Sequence, residues 1–256
     1  MNRQSKIVRL TMIKNWYMSI TTALLVWALS VSVFGQTTST PASEPKFEPE
    51  TFYLVIMTRT HTWNGDKAAA LRAEEKRYWQ SVADNNAIIA AGPTTNAKDG
   101  TAAVMILRAT EKNSARELAT ADPMVKEKLW SAEVYPWMTQ KGLFSPIRRY
   151  EPTTTYYLGF LKKGNNWSPE ETPERQRIQE AHMANIKRLG QTGKLVAAGP
   201  FLEELELRGI FVFKTASLDE AMALANTDPA VQAGRLRIEL YPWEISEEAL
   251  VKSARK

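Results

Sequence analysis

A helix over residues 178 to 186 (IQEAHMANI) would place a histidine in the middle of an apolar stripe. Ile178, His182 and Ile186 are spaced four apart, so they lie along one helix face, and charged residues occupy the other faces. A histidine in such a stripe is often a core residue with satisfied hydrogen bonds. An imidazole whose tautomer is fixed by a carboxylate can instead exchange protons with a small molecule near neutral pH.

Glu75 occupies the equivalent position in an earlier copy of the same segment and also lies on an apolar stripe. Burying an unpaired ionisable group is costly or shifts its pKa, so both groups are expected to have partners. The candidates are Asp228 for His182 and Asp122 for Glu75, because each aspartate precedes a proline at the end of the following helix. The first copy lacks the imidazole, and we expect its site to be degenerate.

The chain carries a tandem duplication. Segments recur in one order, with offsets of 104 to 107 residues. The pairs are FYLVIM (52–57) with YYLGFL (156–161), IIAAGPTT (88–95) with LVAAGPFL (195–202), TADPMV (120–125) with TDPAV (227–231), and EVYPW (133–137) with ELYPW (239–243).

Each copy has the pattern of a strand, a helix, two strands, a second helix and a last strand. The predicted helices cover residues 67–84, 111–121, 169–191 and 217–227, and Ser168 is the expected N-cap of the third. This βαββαβ order is the ferredoxin-like motif. Each sheet needs a cover on its free face, so we expect an α+β fold whose two repeats form an α/β barrel within one chain. Trp137 and Trp243 are expected between the sheets.

The N-terminus is typical of a secretory signal peptide. Four basic residues precede an uncharged apolar run from about Met18 to Phe34, and Gly35 then leads into a polar segment. A transmembrane anchor is the alternative, but the run is on the short side and no charge cluster follows it. We expect residues 1–35 to be cleaved and the protein to be periplasmic or secreted, with no membrane attachment afterwards.

Composition narrows the partners and the chemistry. Residues 1–35 carry four basic residues and no acidic ones, so the remaining chain has 29 basic residues against 28 acidic ones. Nucleic acid is therefore not an expected partner. The chain has no cysteine, which excludes disulfides, thiolate metal ligands and thiol nucleophiles.

The predicted organisation has six parts. They are a signal peptide (1–35), a disordered linker (36–51), a first repeat with the degenerate site (52–140), a linker (141–155), a second repeat with the His–Asp site (156–246) and a C-terminal tail (247–256).

The motifs and their order resemble the YCII (YciI-like) family. The resemblance rests on a helix with His182, then GKLVAAGP, a strand, a second helix ending in Asp-Pro, and a last strand ending in Pro-Trp. It covers about residues 52–137 and 156–243. It implies a dimeric α/β barrel and a His–Asp active site that maps onto His182 and Asp228. In the first copy Asp122 matches and Glu75 does not. The resemblance implies no settled substrate.

These residues favour an acid–base enzyme of the lyase or isomerase type. Asp228 would orient His182, whose other ring nitrogen would exchange a proton with an unidentified small-molecule ligand in the barrel. Proton abstraction beside a carbonyl, isomerisation and elimination all suit this pair. The alternative is a non-catalytic barrel that binds a small ligand. Association into a homo-oligomer is left open.

Other signals for chemistry are weak. The sequence has no G-x-S-x-G, P-loop, dinucleotide or His-Glu-x-x-His motif, and two histidines are too few for a typical zinc site. We therefore expect no bound cofactor and no metal. His61 follows the first strand, in a loop that is either solvated or in contact with a ligand. Haem ligation by His61 or His182 has no other support in the sequence.

Overall fold

The computed structural model describes residues 47–95, 97 and 99–250. The predicted signal peptide, residues 36–46 of the predicted linker 36–51 and residues 251–256 of the tail lie outside the described residues, and residues 49–51 of that linker belong to the first strand. Within the described ranges, no helix combines the length and the apolar character needed to cross a membrane.

The predicted βαββαβ order is confirmed in both repeats, with a one-turn helix added before each last strand. Repeat 1 contains β1 (Pro49–Arg59), α1 (Gly65–Asp84), β2 (Ile88–Pro93), β3 (Thr101–Leu107), α2 (Lys112–Thr120), α3 (Pro123–Lys126) and β4 (Trp130–Gln140). Repeat 2 contains β5 (Thr154–Lys163), α4 (Pro173–Gln191), β6 (Leu195–Pro200), β7 (Leu207–Phe213), α5 (Leu218–Ala225), α6 (Pro229–Gln232) and β8 (Leu236–Ile245). A 3₁₀ turn, Glu247–Ala249, follows.

Helix α4 begins four residues later than the sequence predicts. Thr172, not Ser168, is the N-cap: its side chain accepts a hydrogen bond from the Arg175 amide, and Pro173 occupies the first turn. The Ser168 hydroxyl instead accepts from the Glu170 amide at 3.1 Å, within the preceding loop. Two Ser/Thr residues each followed by proline offer the same cap chemistry, and only one can start the helix.

The two sheets have the same topology. The strand orders are β2-β3-β1-β4 and β6-β7-β5-β8, and all neighbouring strands are antiparallel. Each sheet therefore has its own first strand near the centre, and its second and last strands form the two edges.

The edges of one sheet meet the edges of the other and close the barrel. The Leu202 amide donates to the carbonyl oxygen of Pro136 at 2.9 Å, and the Thr95 amide donates to that of Pro242 at 3.1 Å. Trp137 and Trp243 are fully buried at these seams, as predicted. Their indole nitrogens donate to backbone carbonyls of the opposite repeat, which include Gly199 at 3.0 Å and Gly92 at 3.2 Å.

Side-chain alternation along the strands separates two apolar layers in repeat 2. Leu158 and Phe160 of β5 join the core that both repeats share. Leu161 and Phe211 join a second, smaller core that includes Leu189 of α4. A residue on the inner face of α4 therefore faces this second core, not the space between the two sheets.

Candidate active site

His182 and Asp228 form a buried pair in repeat 2. Nδ1 of His182 lies 2.7 Å from Oδ2 of Asp228. The imidazole is 7% exposed and Asp228 is fully buried. This contact agrees with the one predicted from the sequence. His182 lies on the inward face of α4, and Asp228, in the Asp-Pro that follows α5, contacts it.

Local backbone structure fixes the carboxylate. Asp228 is the N-cap of α6, and its Oδ1 accepts a hydrogen bond from the Ala230 amide at 2.8 Å. An ionised carboxylate can only accept hydrogen bonds, so the proton of this contact belongs to Nδ1 of His182. In the neutral ring the lone pair is then on Nε2.

Nε2 of His182 is the free end of the pair. It forms no hydrogen bond with any residue that the structure describes. In the part of the chain that the structure describes, the fully buried side-chain nitrogen and oxygen atoms without a partner are Nε1 of Trp130 and Nδ2 of Asn185. Nε2 is not among them, and the His182 side chain is 8% exposed.

The imidazole lies between α4 and its sheet and not inside the barrel. Its ring stacks on Phe211 of β7, with centroids 6.0 Å apart and planes 18° apart. Phe211 belongs to the smaller core of repeat 2. The sequence analysis expected His182 to act on a ligand inside the barrel, and this is wrong for the position of the imidazole. A side chain on the inner face of α4 meets the outer face of its sheet.

Asn185 is a polar neighbour that the sequence analysis did not identify. It is buried one turn after His182. Its Oδ1 accepts from Nη2 of Arg188 at 2.6 Å and from Oγ1 of Thr227 at 3.2 Å. Nδ2 has no partner among the described residues. A buried amide donor without an acceptor is available to a water molecule or a ligand.

The expected pairing of Glu75 with Asp122 in repeat 1 is wrong. Asp122 accepts a hydrogen bond from Nε1 of Trp79 at 2.6 Å and caps α3 through the Val125 amide at 3.0 Å. Glu75 accepts instead from the hydroxyl of Tyr150 at 2.9 Å. An indole on the next turn of α1 therefore takes the place that an imidazole holds in repeat 2.

Glu75 is strongly perturbed by this environment. Burial raises its pKa to about 7, the hydrogen bond from Tyr150 opposes this rise, and the charge of Asp122 adds to it. Burial also raises the pKa of Asp122. The charge of Arg72 lowers the pKa of Glu75 but does not offset the effect of burial, so this carboxyl group is largely protonated at mildly acidic pH.

Two pockets lie away from the His–Asp pair. One, of about 370 Å³, is in repeat 2 and includes Gly164, Met222, Gly234 and Ile238. The other, of about 280 Å³, is lined by both repeats. It includes residues from β1, β3, β4, β5 and β7: Ile56, Thr101, Tyr135, Phe160 and Leu207. His182 lines neither pocket. His61 is exposed in the loop after β1.

Two ferredoxin-like halves whose sheets close edge to edge define an α/β barrel of the dimeric type, built here within one chain. The YCII-related domain profile matches residues 51–138 and 161–244, more than half of the chain. The chain therefore belongs to the YCII-related domain family and contains the domain twice, as its motifs predict.

Solved structures of low sequence identity share the fold. A mutant chlorite dismutase from Candidatus Nitrospira defluvii, in complex with cyanide, has a TM-score of 0.50 and 10% identity, and the match covers 78% of this chain and 92% of that chain. A heme-binding protein from Thermus thermophilus has a TM-score of 0.50 and 12% identity, with 80% and 95% covered. At these identities the similarity shows the fold alone. A comparison with curated proteins finds no match.

Proposed function

We propose that the protein is an exported small-molecule enzyme in which His182 and Asp228 act as an acid–base pair. One observation carries this proposal. Asp228, held by the Ala230 amide, accepts a hydrogen bond from Nδ1 at 2.7 Å, and Nε2 has no hydrogen-bond partner among the residues that the structure describes. A base oriented in this way has its reactive nitrogen free for substrate. Export rests on the predicted signal peptide, residues 1–35.

The pair suits proton transfer at carbon. Nε2 would remove a proton beside a carbonyl group, and Asp228 would stabilise the imidazolium that forms. The same imidazolium could return the proton to another atom, which completes an isomerisation, or to a leaving group, which completes an elimination. The unpaired Nδ2 of Asn185 is a candidate donor to the carbonyl oxygen on which negative charge develops.

Removing the imidazole should abolish proton exchange. Small carbonyl compounds that raise the melting temperature of the protein are incubated with it in D₂O, and deuterium uptake beside the carbonyl is followed by proton NMR. His182→Ala should slow uptake by about 100-fold or more, because general base catalysis contributes about that much. Glu75→Gln alters the equivalent position of repeat 1 and should leave the rate unchanged. Equal rates in wild type and His182→Ala would refute catalysis.

Asp228→Asn tests the orienting role separately. The Ala230 amide requires an oxygen acceptor, so the asparagine NH₂ would face Nδ1 of His182 and move the ring proton to Nε2. Nitrogen-15 NMR should show this tautomer exchange, and the base would be lost as it is when the aspartate of a catalytic triad becomes asparagine. An unchanged tautomer would show that Asp228 does not set the proton position.

A non-catalytic binding role is favoured by a different observation. The pocket of about 280 Å³ is lined by residues of both repeats and does not involve His182. If this pocket holds the ligand, compounds should still raise the melting temperature of His182→Ala, and none should exchange deuterium in the wild type.

Haem binding, by which the Thermus thermophilus protein is described, does not fit this structure. A histidine with one nitrogen on a carboxylate is a suitable axial donor. The His182 ring packs against Phe211, however, and the two pockets described above include neither residue, so neither pocket offers this histidine as an axial ligand. No haem site is therefore proposed.

A further inference from the structure

We propose that Arg175, Arg208 and Arg235 form a binding site for an oxyanion, a carboxylate or phosphate group of a small ligand, near the start of α4. If the ligand that carries this oxyanion is also the substrate of His182, the inference rests on the proposed function. The anion site itself is argued independently of it and is tested separately.

Three cations surround one indole ring in repeat 2. The guanidinium carbon of Arg208 lies 4.7 Å from the ring centroid of Trp167, and that of Arg235 lies 5.3 Å from it. Nζ of Lys163 lies 5.6 Å from the same centroid. Arg175 lies close enough for its charge to act on both other arginines. Four positive charges are therefore gathered at one place, where the charges of Glu171 and Glu174 also act on Arg235.

The guanidinium groups of these arginines have few hydrogen-bond acceptors in the protein. The Arg208 guanidinium is partly buried and makes no hydrogen bond or ion pair with a described residue. Burial lowers its pKa and the charge of Arg175 lowers it further, while Glu204 acts in the opposite direction. Arg235 donates to the Ser168 carbonyl at 2.8 Å.

Arg175 donates to the Pro169 carbonyl at 2.8 Å, and its one carboxylate partner is Glu171, whose side chain is 82% exposed. A guanidinium group whose N–H donors are not all used by protein acceptors can bind a carboxylate or phosphate through two parallel hydrogen bonds.

Repeat 1 provides an internal comparison. The matching strand registers and turn hydrogen bonds align Trp63 with Trp167, and Arg59 lies over Trp63 at 4.9 Å as Lys163 lies over Trp167. The three arginines, in contrast, are replaced by buried apolar residues: Ala68 for Arg175, Ala102 for Arg208 and Leu129 for Arg235. The three arginines therefore have counterparts only in apolar residues of repeat 1, and they occur in the repeat that has the His–Asp pair.

One member of the cluster, Arg175, lies on the same face of α4 as the imidazole. Arg175 and His182 are seven residues apart, which puts them two turns, about 10 Å, apart along the helix. Arg208 lies on β7, the strand that also provides Phe211 beneath the imidazole. A ligand whose oxyanion binds the arginines could therefore extend along α4 towards Nε2.

Titration with inorganic phosphate and with acetate tests the site. The full chain is titrated at constant ionic strength, and NMR follows the Trp167 indole N–H and the arginine Nε–H signals. We expect saturable shifts, and the tighter ion identifies the preferred oxyanion. Arg208→Ala and Arg235→Leu install the residues of repeat 1. Each should weaken binding about tenfold or more, since a charged hydrogen bond is lost.

Two controls separate this site from diffuse charge and from catalysis. Arg177→Ala removes the same charge from the exposed face of α4 and should leave binding unchanged. His182→Ala should also bind phosphate normally, whatever happens to proton exchange. Shifts that do not saturate, or an equal loss of binding in Arg177→Ala and Arg208→Ala, would overturn the anion site and leave the His182 proposal standing.

Discussion

Replacing Gly199 by alanine should destabilise the protein by about 3 kcal/mol, because it forces two backbones apart where the sheets join. A Cβ at Gly199 would lie 1.8 Å from the carbonyl oxygen of Met138 in the other repeat. At the opposite seam a Cβ at Gly92 would lie 1.7 Å from the carbonyl oxygen of Glu244. Backbone atoms of a closed barrel cannot withdraw as a flexible side chain can. The urea midpoint, followed by tryptophan fluorescence, measures the loss.

Gly190→Ala is the matched control for this substitution. Gly190 lies inside α4, and a Cβ there would meet its nearest atom, the Leu195 carbonyl oxygen, at 3.9 Å. Alanine in a helix is favoured over glycine by about 1 kcal/mol, so this variant should be slightly more stable than wild type. Equal urea midpoints for Gly199→Ala and Gly190→Ala would contradict the close approach of the two sheets at Gly199.

The free energy of unfolding should fall by up to about 3 kcal/mol as the pH rises from about 4 to about 8, because of Glu75. Its pKa is about 7 in the folded protein and 4.5 without the burial. Between these values the unfolded chain has released the proton that the folded chain retains. The raised pKa therefore favours folding below pH 4.5, and this advantage is lost as the pH rises through about 7.

Glu75→Gln should flatten this part of the pH profile, since glutamine keeps the shape of a protonated glutamate and cannot ionise. The difference in urea-derived stability between the two proteins, measured at each pH, isolates the contribution of this group. Tyr150→Phe removes the hydrogen bond that opposes the rise in pKa and should extend the loss to higher pH. A wild-type slope retained in Glu75→Gln would assign the pH dependence to other groups.

The fold and the His–Asp contact could be predicted because both follow from periodic sequence features. The duplication shows each element twice, so that weak strand and helix patterns support one another. The contact of His182 with Asp228 follows from the helical stripe and from an Asp-Pro placed after the adjacent helix. In the YCII pattern these two features occur in a fixed order.

The pairing that was predicted wrongly and the residues that were not predicted depend on contacts between segments far apart in the sequence. Tyr150, which binds Glu75, lies in the connection between the repeats, and no spacing links it to α1. Nothing in the sequence distinguishes Trp79 from other core residues, although its indole nitrogen donates a hydrogen bond to Asp122. The arginines around Trp167 come from α4, β7 and the turn before β8, so they form a cluster only after folding.

Because both halves of the barrel belong to one chain, their sequences can differ. In a homodimer every substitution appears in both subunits, and like charges gathered around a tryptophan would weaken the assembly twice. Here one half keeps Ala68, Ala102 and Leu129 packed and supplies the sheet edges against which its neighbour is held. The other half can then tolerate mutually repelling arginines that a symmetrical homodimer would have to accommodate in both subunits.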